Sequence, residues 1–228
     1  MQAQTAQIAP PATATHDYSV PMRIWHWANA ALVSGQLLTI LFQKVIVNAR
    51  SAVPEFQQVL TKGGGTLTEQ QGRAVAHVIS ERIWQWHIWM GIALAGFWLF
   101  WTVMQALDPA GRRFGARLMA AARRYKLAAP AEHADARHVL LAKLTYAAFY
   151  LFITIMVVTG LTLIFADDVP FLRSIKHTAE EIHNVTMYLI IGYIVLHVAG
   201  VVWADIYNDR GLVSRMVSGE DPRTHDNV

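Results

Sequence analysis

Two histidines, His183 and His197, stand fourteen residues apart in the apolar stretch IHNVTMYLIIGYIVLHV. On an α-helix that spacing is four turns less about 40°, so both imidazoles share one face, about 21 Å apart along the axis. The separation is close to two-thirds of the roughly 30 Å hydrocarbon thickness of a bilayer. Ligand-capable, ionisable side chains at two depths of a membrane helix are costly and mark function. The chain has no cysteine. Disulfides, cysteine-ligated iron–sulfur clusters, thiolate zinc sites and haem attachment through Cys-x-x-Cys-His are therefore excluded. A redox cofactor here has to rest on other ligands, and histidine suits b-type haem, one at each depth.

The elements that must position these imidazoles follow from composition. Of 228 residues, 54% are hydrophobic and 15% charged, against about a quarter charged in a soluble domain. The apolar residues bunch into four segments, at about 22–47, 82–106, 139–166 and 183–204, each long enough to span a bilayer. The expectation is an all-α membrane protein, a four-transmembrane-helix bundle over 18–219. The first segment is the least pure, with Gln36, Gln43 and Lys44. Residues 1–17, rich in Ala, Gln, Thr and Pro, read as a disordered tail without the pattern of a signal peptide. Residues 220–228 form a C-terminal tail.

Charge sets the orientation. The 107–138 loop carries Arg112, Arg113, Arg117, Arg123, Arg124, Lys126 and Arg137, and an amphipathic surface helix is expected near 112–127. The 48–81 loop has only Arg50, Lys62 and Arg73, with a short helix expected through AVAHVISERI. The 167–182 loop balances Arg173 and Lys176 against Asp167, Asp168, Glu180 and Glu181. The positive-inside rule puts the 107–138 loop in the cytoplasm, and four spans then put both termini there. The basic loop reads as this orientation signal rather than as a nucleic-acid surface.

Depth now selects partners. A six-coordinate b haem needs two imidazoles facing each other from different helices at one depth. His26 opens the first segment on the cytoplasmic side, and His87 lies early in the second, on the outer side. His183 is outer and His197 about 21 Å deeper. The matching pairs are His87 with His183 and His26 with His197. His77 is the runner-up outer ligand, but its ten-residue offset turns it off the face of His87. His16 and His225 fall in tails, His133 and His177 in loops. Gly35, Gly91, Gly160 and Gly192 interrupt the spans, where small residues allow close packing and room for a flat macrocycle. Arg23 could neutralise haem propionates or snorkel to the interface. Trp25, Trp27, Trp84, Trp86 and Trp89 cluster near the first two histidines, as interfacial anchors do.

At these residues the sequence resembles the membrane cytochrome b subunits of nickel–iron hydrogenases and, more broadly, the γ subunits of formate dehydrogenases. The segments that carry the resemblance are VPMRIWHW at 20–27, RIWQWHIWMG at 82–91, the TG of VVTG at 157–160, IHNVTMYLIIGYIVLHV at 182–198 and the hydrogenase-like tail WADIYNDRGLVSRMVSG at 203–219. It covers essentially 18–219. The resemblance implies two b haems, with the fourth helix giving one ligand to each, and it carries to His26, His87, His183 and His197. Two departures stand out. Val139 occupies the place of an Asn associated with the quinone pocket in the formate dehydrogenase branch, and the 48–81 loop is longer than usual.

The expected function is an electron-transfer subunit of an oxidoreductase complex in a bacterial inner membrane. It would link an iron–sulfur subunit of a hydrogenase- or dehydrogenase-type partner on the outer face to quinone at the cytoplasmic side. Cofactor-binding residues are then His26, His87, His183, His197, Arg23, Gly35, Gly91 and Gly160. Candidates for a quinone-reducing site are His138, Arg137 and Asp205. A self-standing quinol-oxidising cytochrome b is the nearest alternative. A haem-free anchor or transporter is more remote, because the spans offer almost no midplane charge.

Overall fold

The computed structural model describes residues 18–46, 49–207 and 211–219. The tails expected at 1–17 and 220–228, with His16 and His225, lie outside the described residues. The chain order is α1 (Val20–Leu41), a π-helical turn (Phe42–Ile46), α2 (Ala49–Lys62), α3 (Glu69–Leu107), a 3-10 turn (Ala110–Arg112), α4 (Phe114–Leu127), α5 (His133–Phe165), α6 (Pro170–Ser174), α7 (Lys176–Tyr207) and α8 (Leu212–Val217). No strand occurs among the described residues. Three helices, α3, α5 and α7, with 39, 33 and 32 residues, are long and apolar enough to cross a membrane.

The helices outrun the apolar segments because local chemistry, not hydropathy, sets their ends. The short helix expected through AVAHVISERI is not a separate element: α3 runs unbroken through it from Glu69. Its start is a capping box, in which Thr68 Oγ1 accepts from Gln71 N at 3.2 Å and Gln71 Oε1 accepts from Thr68 N at 3.0 Å. The two bonds satisfy donors that the first helical turn would otherwise leave open. Thr68→Ala is expected to cost about 1 kcal/mol, seen as faster amide exchange over the first two turns of α3 with the absorbance spectrum unchanged. Two histidines assigned to loops prove helical. His133 is the first residue of α5 and packs its ring on Tyr125, centroids 4.5 Å apart. His177 lies in the first turn of α7, 3.6 Å from Glu181 one turn on. Hydropathy misses both because these turns are polar and exposed. The amphipathic basic segment near 112–127 is the helix α4.

The chain divides into two compact units. The larger, Ala28–Val195, has its core at Val33 of α1, Leu94 of α3, Ile153 and Val157 of α5, and Ile190 of α7. Four helices therefore share one apolar centre in this unit. Their outward faces are apolar too: Trp89 is 69% exposed and Val195 62%. Apolar surface on this scale belongs against lipid. Polar residues inside the unit are tied to neighbouring helices. Gln43 Nε2 donates to Ser80 O at 2.7 Å while Ser80 Oγ donates to Gln43 Oε1 at 2.9 Å. Trp98 Nε1 donates to Thr154 Oγ1 at 2.9 Å. Lys44 Nζ reaches Tyr188 Oη at 3.4 Å. The residues that made the first segment look impure are thus side chains that bind helix to helix.

The smaller unit contains, among the described residues, the start of α1 through Trp27 and the chain from Leu196 to Gly219. Here Trp27 Nε1 donates to Met216 O at 3.0 Å and Arg23 Nη1 to Val217 O at 3.2 Å, so the start of α1 grips α8. Asp205 Oδ1 accepts from Gly211 N at 3.1 Å and Val213 N at 3.2 Å, capping α8 from the end of α7. Asp205→Ala is expected to release α8 at a cost of about 1 kcal/mol, measurable as accelerated proteolysis within 211–219.

Candidate functional site

In the larger unit, a cavity of about 280 Å³ opens between helices, with His87 of α3 and His183 of α7 in its wall. Its remaining lining is almost wholly apolar, from Val33 and Leu37 of α1 to Met187 and Ile190 of α7. Gly91 and Gly160 line it as well. At Gly160 a Cβ would sit in van der Waals contact with the imidazole ring, 3.4 Å from His183 Cε1, so this position backs the histidine directly. At Gly91 a Cβ would sit 3.1 Å from Gln36 Nε2. That amide donates to the backbone oxygen of His87 at 2.9 Å, so Gly91 keeps space for a bond that holds the histidine's own helix. Gly91→Ala is expected to displace the Gln36 amide and lose about 1 kcal/mol, read as a lower melting temperature of the purified chain. Gly35 has a different neighbour, Met90, whose Sδ would lie 2.7 Å from an added Cβ. It permits close approach of α1 and α3 and does not line the cavity. At Gly192 an added Cβ would meet nothing within 4 Å.

Both cavity histidines are held at Nδ1. Thr39 Oγ1 of α1 is 2.8 Å from His87 Nδ1, and Thr159 Oγ1 of α5 is 2.8 Å from His183 Nδ1. Trp84 stands edge-on to His87, centroids 5.2 Å apart. His77, by contrast, has a side chain 73% exposed, beside Glu81. The runner-up histidine is therefore outside the cavity.

In the smaller unit His26 and His197 face each other, ring centroids 6.3 Å apart and planes at 51°. A transition-metal–imidazole bond is about 2 Å, as for zinc, and a ring nitrogen lies roughly 1 Å from its centroid. Two imidazoles opposed on one metal therefore place their centroids about 6 Å apart. The observed pair fits that separation. Arg23, in the same unit, has a buried Nε without a hydrogen-bond partner. Its guanidinium lies over Gly219, where a Cβ would fall 2.6 Å from Nη1.

Among the described residues no three His, Asp or Glu side chains gather as a metal cluster. Imidazoles in twos suit a metal that brings its own equatorial ligands, and paired histidines with apolar walls fit haem. Of the quinone-site candidates, Arg137 and His138 are exposed near the start of α5, and the carboxylate of Asp205 is engaged at α8. Three residues escaped the reading by histidine alone: Gln36, Thr39 and Thr159. Their signal is a polar side chain within an apolar span, Thr159 directly before Gly160 and Thr39 one turn after Gln36.

Long apolar helices of this kind define a multi-pass membrane protein of the helical class. The chain belongs to the prokaryotic cytochrome b561 family, whose sequence profile matches residues 17–219. Membership makes it a membrane cytochrome b of hydrogenase type, a b-haem-binding electron-transfer protein. Comparison with curated proteins gives no match, and neither does comparison with solved structures.

Proposed function

We propose that this chain is a di-haem cytochrome b that carries electrons between an iron–sulfur subunit of a hydrogenase-type partner and the quinone pool. The observation that carries the reading is the occurrence of two imidazole pairs, each drawn from two helices. His87 and His183 hold one haem by this reading, and His26 and His197 the other. Bound between two imidazoles, each haem supplies a one-electron centre whose potential depends on its ligands and their surroundings. The protein's part is to orient the four imidazoles, keep water from the outer cavity with apolar walls and place Arg23 where propionate charge needs compensation.

α1 serves as a fourth span. Its 22 residues reach about 33 Å, enough for a hydrocarbon layer of roughly 30 Å. Within the larger unit Gln36 Nε2 donates to His87 O, and Thr39 Oγ1 bonds Gln36 O and His87 Nδ1, while Gln36 Oε1 is buried without a partner. The basic 107–138 loop then lies in the cytoplasm with both termini, and the membrane is the inner membrane of a bacterium. Electrons enter from the partner on the outer face and leave to quinone near the cytoplasmic surface, where quinone reduction takes up protons. Arg137 and His138, exposed at the start of α5, are available to that site.

Isolation of the native complex tests the reading. Two b haems per chain and a co-purifying iron–sulfur subunit are expected. A chain that carries two haems alone and oxidises quinol without a partner would instead be the self-standing enzyme, and one without haem would end the proposal.

A further inference from the structure

Hydrogen counting at His87 and His183 leads one step beyond ligation, and it rests on the proposed role of both as iron ligands. Thr39 Oγ1 lies 2.6 Å from the backbone oxygen of Gln36 and 2.8 Å from His87 Nδ1. A carbonyl oxygen brings no hydrogen, so at 2.6 Å the single hydroxyl hydrogen of Thr39 must lie between the two oxygens. Toward the ring, Thr39 is left only as an acceptor, and His87 Nδ1 must be the donor. Thr159 repeats the arrangement from another helix. Its hydroxyl donates to Ile155 O at 2.6 Å, with Met156 O a weaker second acceptor at 3.3 Å, and its oxygen faces His183 Nδ1 at 2.8 Å. Both threonines are buried.

We infer that Thr39 and Thr159 are positioning residues that lock His87 and His183 in the Nδ1–H tautomer, turn both Nε2 lone pairs to the iron and hold down the potential of that centre. A threonine bonded back to its own helix is ordinary by itself. What carries the inference is the same device, on two different helices, at the two imidazoles of one cavity. Donation from Nδ1 makes Nε2 a stronger electron donor, which favours the oxidised metal. Removing the acceptor should therefore raise the potential.

The test uses the full chain in membranes, with Thr39→Val, Thr159→Val, the double valine variant and the matching serine variants. Valine keeps the shape and removes the oxygen, whereas serine keeps the oxygen. Readouts are haem per chain, the paramagnetic resonance signals of the oxidised form and a potentiometric titration. The double valine variant should shift the oxidised–reduced equilibrium of one centre about tenfold toward reduced, about 59 mV for a one-electron couple. The other centre should not move, and serine should restore the native value. Loss of one haem in the valine variants but not in the serine variants would support the same role. An unshifted potential with unchanged resonance signals, or serine variants that behave like valine, would overturn it. His87→Ala and His183→Ala variants that each retain both haems would instead refute the ligand assignment itself, whatever the threonines do.

Discussion

On the proposed di-haem reading, replacing His197 with alanine is expected to halve the dithionite-reduced α band, because one proposed imidazole pair would lose a member while the other is untouched. His197 sits among Ile194, Val195, Leu196 and Val198 in α7. No side chain of that set replaces an imidazole as ligand. His26 then faces a methyl group where a ring stood 6.3 Å from its own. Adding free imidazole should recover part of the lost band if the defect is a missing ligand rather than a misfolded helix. The measurement is haem per chain by alkaline pyridine spectrum, with the melting profile as a folding control. A full two-haem spectrum in His197→Ala would sink the pairing of His26 with His197.

Gly160→Leu should be nearly as damaging at the other pair. A Cβ at that position already touches His183 Cε1 at 3.4 Å, and leucine adds a branched group beyond it. The added atoms either push the imidazole out of its bond to Thr159 or occupy the cavity. Overpacking of this kind costs about 1–3 kcal/mol in a packed core. At a proposed ligand the consequence is larger, because losing the bond that orients the ring weakens metal binding roughly 10- to 100-fold. The expected result, on the proposed di-haem reading, is loss of the haem assigned to His87 and His183 with the signals assigned to His26 and His197 retained. Gly160→Ala, whose Cβ stays at van der Waals contact, should keep both. Equal haem content in the leucine variant would show that the wall at Gly160 yields.

Much of the architecture was legible because membrane helices obey simple constraints. Apolar runs near 82–106 and 183–204 lie inside α3 and α7, and that near 139–166 overlaps α5 to within one residue, since a bilayer demands about 20 apolar residues per span. The helix ends were less legible. The start of α3 at Glu69 depends on a capping box thirteen residues before the apolar run, and a hydropathy pattern contains no trace of it. The first segment was ambiguous for a related reason. Gln36 and Gln43 look like defects in a span until their acceptors on α3, His87 O and Ser80 O, are known.

The candidate site divides in the same way. Residue type, absence of cysteine, helical spacing and the topology set by charge together pointed to His26, His87, His183 and His197, since depth along a helix of known direction follows from residue number. Spacing could not tell that Gly160 backs a ring and Gly35 a methionine. Nor could it tell that Asp205 caps a short helix. Those outcomes depend on which helix faces which, and that is a property of packing between segments far apart in sequence. The threonines make the point most sharply. Thr39 and Thr159 are 48 and 24 residues from the histidines they hold, and only the tertiary structure brings each hydroxyl to within 2.8 Å of its ring nitrogen. Sequence determined the ligand-capable residues and the helices that carry them. Their hydrogen-bonded surroundings were decided by the contacts between helices, because hydrogen bonds need a fixed direction as well as a depth.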